Sequence, residues 1–83
     1  MKMKTIDTKL SRQFFSTAPH GTRDGMKKII NRSLPSGEIS LFATIENKAK
    51  LSAFRVVASE MGIELGDWLI RPLPGTATAK LTK

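Results

Sequence analysis

The chain has 83 residues and a net charge of +7, because 14 Lys and Arg outnumber seven Asp and Glu. That length holds one domain at most, and the absence of cysteine together with a single histidine excludes disulfide bonds and the common zinc sites. The excess of positive charge indicates an anionic partner, most often nucleic acid and less often a membrane surface.

The charge is unevenly distributed along the chain. Residues 1–36 contain eight Lys and Arg against two Asp, whereas residues 37–73 contain four against five acidic residues. Residues 74–83 add Lys80 and Lys83. This pattern predicts a basic, partly disordered N-terminal arm at 1–36, a dimerisation unit at 37–73, to which the family resemblances described below also assign DNA binding, and a basic tail at 74–83.

The first 25 residues carry few apolar side chains and several turn-forming residues, which is typical of an arm. Two adjacent aromatic residues, Phe14 and Phe15, have two interpretations. They stack on nucleic-acid bases, or they dock the arm onto the core. His20 lies between Pro19 and Gly21 and is expected in a loop rather than in a catalytic or metal site.

A short helix is predicted at residues 22–33, with Thr22 as its cap and Asp24 in its first turn. Its apolar residues fall on one side, and Lys27, Lys28 and Arg32 fall on the other. These three cations form either a solvated face or a phosphate-binding face. The sequence at 34–37 (LPSG) then breaks the chain.

A strand is predicted at residues 38–46, where side chains alternate in character. One face is apolar: Ile39, Leu41, Ala43, Ile45. The other face carries Ser40, Phe42 and Thr44, which point outward and could contact base edges in a DNA groove. The alternative is that both faces of this strand are partly covered.

A longer helix is predicted at residues 47–61, capped by Asn47 and ended by Gly62. Its apolar stripe recurs at steps of three and four residues: Leu51, Phe54, Val57, Ala58, Met61.

Residues 63–71 leave two interpretations open. They form a second helix over 65–71 that Pro72 and Pro74 end, or a strand at 68–70. Residues 75–83 are small and polar, and we expect a tail with weak strand character there.

The sequence ASEMGIELGDWL at residues 58–69, together with the preceding strand and helix, resembles the ribbon–helix–helix family of dimeric DNA-binding proteins. The resemblance covers about residues 38–71. It implies a small α+β fold of β-α-α order, in which two strands pair across a dimer and enter the major groove. The arm resembles the extensions of plasmid-partition members of that family. Two features depart from the family pattern: Pro72 shortens the second helix, and the strand lies about one residue further from Gly62.

That resemblance assigns roles to individual residues. Ser40, Phe42 and Thr44 would contact bases. The backbone N–H groups of Leu65 and Gly66, at the start of the second helix, would bind a phosphate. Further phosphate contacts are expected from Lys27, Lys28, Arg32 and Lys48. The shared dimer core is expected at Ile39, Leu41, Ile45, Phe54, Val57, Trp68 and Leu69.

The sequence MGIELGDWLI at residues 61–70 is also similar to the signature of AbrB-type swapped-hairpin regulators. That resemblance implies a β-α-β dimer, in which the segment after Asp67 is a strand and Lys27, Lys28 and Arg32 face DNA. The helix at 47–61 is longer than that family's helix. Both resemblances imply a dimer that binds double-stranded DNA.

The sequence therefore predicts a homodimeric DNA-binding protein that acts as a transcriptional repressor or as a plasmid or phage regulatory factor. A small predicted core is the second reason to expect a dimer. The alternative is a protein-interaction module, such as a phage-encoded inhibitor or an antitoxin, with Phe14, Phe15 and Trp68 as anchors.

Enzymatic activity and a cofactor are not expected, because no catalytic set or phosphate-cradling loop is present. No apolar run approaches the roughly 18 residues of a membrane span. We expect a cytoplasmic protein.

Overall fold

Three helices and an antiparallel sheet form the fold in the computed structural model, which describes residues 5–83 apart from the side chains of Thr5 and Ile45. The fold is α+β, as predicted. The helices are α1 (Thr5–Thr17), α2 (Thr22–Ser33) and α3 (Lys48–Glu60), and the strands are β1 (Glu38–Phe42), β2 (Glu64–Leu65), β3 (Leu69–Arg71) and β4 (Thr76–Thr82). Two 3-10 turns, Leu34–Ser36 and Ile45–Asn47, precede β1 and α3.

β4 is the central strand of the sheet. β1 pairs with one edge of β4, with Ile39 opposite Ala79 and Leu41 opposite Ala77. β2 and β3 pair in succession along the other edge. Between them, residues 66–68 lie opposite only Ala79 and Lys80, so the register shifts by one residue. This extra residue is a β-bulge, and it interrupts what would otherwise be one strand.

The hydrophobic core lies between the sheet and α3. Its largest fully buried side chains are Ile30, Ile39, Phe54, Val57 and Leu65. Along β4, Ala77, Ala79 and Leu81 are buried while the intervening residues are more exposed, which is the alternation expected of a sheet with one covered face. Ala79 shares a buried cluster with Phe54 and Val57 of α3, and Ala77 shares another with Leu51.

Helix α3 ends where the sequence predicts. The N–H of Gly62 donates to Ser59 O at 3.0 Å, and the N–H of Ile63 donates to Ala58 O at 2.9 Å. This is a Schellman motif, in which a residue of positive φ satisfies the last carbonyls; Gly62 has φ of 76°. Asn47 occupies the N-cap position of α3, but its side chain accepts from the N–H of Thr44 at 2.8 Å.

The predicted helix at 22–33 is confirmed by α2, the predicted helix at 47–61 by α3, and the predicted strand at 38–46 by β1 over its first five residues. The second helix at 65–71 is wrong, because Leu65 pairs with Leu81 in β2 and residues 69–71 form β3. The β-α-α order therefore does not hold for the described residues, whereas the alternative strand at this position is correct.

Three further expectations are corrected. Residues 5–33 of the predicted arm form two helices that pack on α3, so this part of the arm belongs to the folded body. Thr76–Thr82, expected as a tail, is the central strand because both of its edges are paired. Ile39, Phe54 and Val57, expected in a dimer core, are buried within one chain. The core therefore does not require a partner.

Among helices of the described chain, none has the length and apolar character of a membrane span.

Candidate nucleic-acid interface

The outer side of α2 carries three exposed cations, Lys27, Lys28 and Arg32. They are exposed because Met26 and Ile30, on the opposite side of the helix, are buried in the core. Within residues 5–83, none of the three has a carboxylate oxygen within 4.0 Å. We call this set the α2 basic face, and its charges are available to an external anion.

Helix α1 adds Lys9 and Arg12, which are also exposed and have no ion-pair partner in the described part of the chain. The acidic residues of the two helices are Asp7 and Asp24. Asp7 is buried and lies near Arg55, so Asp24 is the one exposed acid on these helices. The helical side of the molecule is therefore strongly positive.

Two other arginines have structural roles. The Nη1 atom of Arg23 is 2.7 Å from Glu60 Oε1, and its guanidinium lies 4.1 Å from the ring centroid of Phe15. This side chain thereby joins α2 to both α1 and α3. Arg55 donates hydrogen bonds to the carbonyl oxygens of Leu65 and Gly66, so it holds the bulge.

The opposite face of the sheet is not covered by any element of the described chain. We call it the open sheet face. Its members are the outward residues of the strands: Glu38, Ser40, Phe42, Glu64, Leu69, Arg71, Thr76, Thr78, Lys80, Thr82. Phe42 is 84% exposed, which is unusual for an aromatic side chain on a strand.

The structure brings together two of the three residues predicted to contact bases. Ser40 and Phe42 lie on the open sheet face. Thr44 lies beyond the end of β1, where its hydroxyl is 3.3 Å from Asn47 Oδ1 and its N–H bonds the same oxygen. Thr44 therefore caps the turn before α3 and is not part of that face.

The predicted base contacts and phosphate contacts lie on opposite sides of the sheet. Ser40 and Phe42 point away from the helices, whereas Lys27, Lys28 and Arg32 lie on the helix side, because the buried residues of α2 pack with Ile39 and Ala79. One duplex docked on either surface would not reach the other. The two groups therefore do not form a single site.

The expected phosphate site at Leu65 and Gly66 is wrong. No helix begins there; Leu65 is buried, and the N–H of Gly66 donates to Lys80 O at 2.9 Å. Lys48 is exposed at the first residue of α3. Ile45, expected in the dimer core, has a side chain outside the described set.

The aromatic residues of the predicted arm are docked. Phe14 and Phe15 are half-buried against the core, with ring centroids 5.4 Å apart in an edge-to-face arrangement. Trp68 is also half-buried, and its Nε1 donates to Leu51 O at 3.2 Å. His20 is exposed in the turn between α1 and α2, as predicted.

Residues that sequence reasoning missed lie on β3 and β4. Arg71, Thr76, Thr78 and Lys80 line the open sheet face, but the polar character of residues 75–83 suggested a tail. The signal that could have identified the strand is the alternation of small apolar and polar residues in TATAKLT.

The described residues hold no cluster of three or more His, Cys, Asp or Glu that could bind a metal ion. Comparisons of this chain with protein-family models, with curated proteins and with solved structures found no match.

Proposed function

We propose that this protein binds double-stranded DNA through the α2 basic face. The observation that carries the proposal is that Lys27, Lys28 and Arg32 share one side of one helix, exposed and without carboxylate partners in the described structure. Ordinary solvated helix faces carry both signs of charge interspersed, which lets cations pair with acids three or four residues away. Here Asp24, three residues before Lys27 and four before Lys28, is the single acid on that side, and the described structure has no ion pair within 4.0 Å between it and either lysine.

The dimensions of α2 suit the major groove. A helix of 12 residues is about 18 Å long, and the groove is about 12 Å wide, enough to admit one helix. Asn31 is exposed on the same side as the three cations. The cations on the exposed side of α2 would contact phosphates. The side-chain amide of an asparagine can both donate a hydrogen bond to an adenine edge and accept one from it.

A small DNA-binding protein of this kind would act as a transcriptional repressor or as a regulatory factor of a plasmid or phage, in the cytoplasm. The resemblance of residues 61–70 supports DNA binding, because it implies a strand after Asp67 and cations at Lys27, Lys28 and Arg32 that face DNA. The surface proposed here lies on a helix that precedes that segment.

The proposal is tested by titrating a labelled duplex with protein at several salt concentrations. Each phosphate contact contributes a slope of about −0.9 to the plot of log binding constant against log salt concentration. In the Lys27→Ala, Lys28→Ala, Arg32→Ala triple variant, we expect the magnitude of that slope to be smaller than in the wild type by roughly 2 to 3.

The matched control is the Arg71→Ala, Lys80→Ala double variant, which removes cations from the other side of the sheet. It should retain the wild-type slope. Binding that is independent of salt, or a triple variant that binds like the wild type, would overturn the proposal. If the Arg71 and Lys80 variant alone lost binding, the interface would be the open sheet face.

A protein-interaction module is the second candidate. The observation that favours it is the exposure of Phe42 and Leu73, at 84% and 90%. The anchors predicted from the sequence, Phe14, Phe15 and Trp68, are unsuited to this role because they pack within the chain. Recovery of one stoichiometric protein after nuclease treatment, lost on Phe42→Ser, would favour this function.

A further inference from the structure

The open sheet face carries two exposed apolar side chains, one on each side of the polar central strand. Phe42 is 84% exposed and Leu69 57%, and both lie on the uncovered side of neighbouring rows of the sheet. Thr76 and Thr78 lie between β1 and β3 in the same two rows. Phe42 and Leu69 are therefore two separate exposed apolar side chains on one face, with threonines between them.

This face is close to neutral, in contrast to the helices. Arg71 and Lys80 are matched by Glu38 and Glu64, with the exposed Asp67 beside them, whereas α1 and α2 carry five cations that have no ion-pair partner within residues 5–83. A polyanion gains nothing from a neutral surface, so nucleic acid is not the expected occupant. Copies of a chain with a net charge of +7 repel each other, and a neutral face lets two copies approach with the least repulsion.

The charges are also arranged in a self-complementary way. Arg71 lies opposite Thr76 at one end of β4, and Glu64 lies opposite Thr82 at the other end. The two ends are about 20 Å apart along the strand. Turning a second copy end over end about a two-fold axis would place Arg71 of each chain near Glu64 of the other, so that both ion pairs form at once.

We propose that a second copy of this chain packs on the open sheet face, sheet against sheet. Antiparallel sheets pack face to face at about 10 Å with interdigitated side chains. In this dimer Arg71 pairs with Glu64 of the second copy and Leu69 lies near the two-fold axis, whereas Phe42 lies at the edge of the contact, beyond the Glu38 end of the second copy's β1. The interface differs from the dimer core expected from the sequence, of which it retains only Leu69.

The dimer is weak and depends on concentration. Three strands 4.8 Å apart and about 20 Å long offer a face of roughly 15 by 20 Å, or about 300 Å² per chain, which is below the area of a standard specific interface. Each subunit has its own buried core, so dissociation leaves a folded monomer. The dissociation constant of the dimer is therefore expected to be micromolar or higher.

Sedimentation equilibrium over a hundredfold range of protein concentration tests the proposal, without DNA. We expect the mass to rise from 9.1 kDa toward twice that value. The Phe42→Ser, Leu69→Ser double variant should raise the dissociation constant at least about tenfold. Ile6→Ser is the matched control, because Ile6 is a similarly exposed apolar residue on α1 and not on this face.

Charge reversal provides the sharper test. Arg71→Glu and Glu64→Arg should each weaken the dimer because they place like charges together, and the double reversal should restore it. A wild-type mass of 9.1 kDa at every concentration would overturn the proposal, as would a dimer that neither reversal weakens, or a double reversal that fails to restore it. Far-ultraviolet circular dichroism of each variant identifies loss of fold. This outcome is independent of DNA binding, which is measured separately on the α2 variants.

Discussion

The hydroxyl of Ser52 on α3 donates a hydrogen bond of 3.0 Å to Oδ1 of Asp7 on α1, and both residues are buried. The other carboxylate oxygen, Oδ2, lies 3.5 Å from Nε of Arg55 and has no hydrogen-bond donor in the described structure. A buried carboxylate with only one hydrogen bond depends strongly on that bond, because water is excluded from replacing it.

We expect Ser52→Ala to lower the free energy of unfolding by about 1–2 kcal/mol, since it leaves the carboxylate of Asp7 without its donor. Asp7→Ala should cost about 3 kcal/mol, because the largely buried Arg55 then loses its nearer carboxylate and keeps only the exposed Asp67, 4.0 Å away. Urea denaturation followed by the fluorescence of the single tryptophan, Trp68, measures both.

Ser16→Ala is the control for these variants. Ser16 is an exposed residue of α1, the helix that contains Asp7, and its hydroxyl donates a hydrogen bond to Gln13 O at 2.7 Å. It should change stability by less than about 0.5 kcal/mol. If Ser52→Ala were as neutral as the control, the contact between α1 and α3 would not depend on the polar pair.

Arg55→Lys should destabilise the protein even though it preserves the charge. The guanidinium donates through two nitrogens to the carbonyl oxygens of Leu65 and Gly66, and a lysine ammonium cannot match that planar pair of donors. We expect a loss of about 1–3 kcal/mol by urea denaturation. Amide hydrogen exchange at residues 64–71 should accelerate more than at α2, and equal acceleration throughout would contradict a local role at the bulge.

Two glycines should respond in opposite directions to alanine. Gly62 has φ of 76°, which alanine adopts only with strain, so Gly62→Ala should destabilise the protein by about 1 kcal/mol. Gly25 lies within α2 at negative φ, and an added Cβ has no atom within 4 Å. Gly25→Ala should therefore stabilise by about 0.5–1 kcal/mol. Changes of the same sign in the two thermal denaturation midpoints would contradict this account.

Local signals explain which elements could be predicted from the sequence. Helix α3 has a regular apolar stripe and a glycine at its end, and β1 alternates over five residues, so both were predictable. Helix α2 was predictable because Met26 and Ile30 fall opposite its cations. In each case the residues that face the core are apolar, and periodicity detects apolar residues.

Helix α1 and strand β4 were missed because their buried sides are not conventionally apolar. The buried side of α1 includes Asp7 and Ser11, and the partner that makes a buried Asp7 tolerable is 45 residues away. The buried side of β4 begins with two alanines, which carry weak hydrophobic signal. Missing these elements made the predicted core too small, and three residues of the predicted dimer core, Ile39, Phe54 and Val57, are buried within one chain.

The site was predictable in its parts but not in its arrangement. Sequence placed Lys27, Lys28 and Arg32 on one side of a helix, and Ser40 and Phe42 on one side of a strand, and both placements are correct. Whether the cationic side of α2 and the outward side of β1 face the same way depends on which face of the sheet the helices cover. The choice of face depends on packing between residues that are distant in sequence, including those of β4.

The two proposed surfaces together predict that a dimer bridges two DNA duplexes. In a dimer joined through the open sheet faces, the helices lie on the outer sides, so the two α2 basic faces point in opposite directions. The smallest dimension of one chain is 24 Å, so two stacked chains separate these faces by more than the roughly 20 Å diameter of a duplex. A single straight duplex could not contact both.

An immobilised duplex should therefore capture a second, labelled duplex in the presence of the wild-type protein at concentrations where the dimer forms. The Phe42→Ser, Leu69→Ser variant should still bind one duplex with the wild-type salt slope but capture several-fold less of the second, because its α2 basic face is intact and its dimer surface is not. The Lys27, Lys28 and Arg32 triple variant should fail in both steps. Capture by the Phe42 and Leu69 variant at the wild-type level would show that bridging, if it occurs, uses another contact between chains.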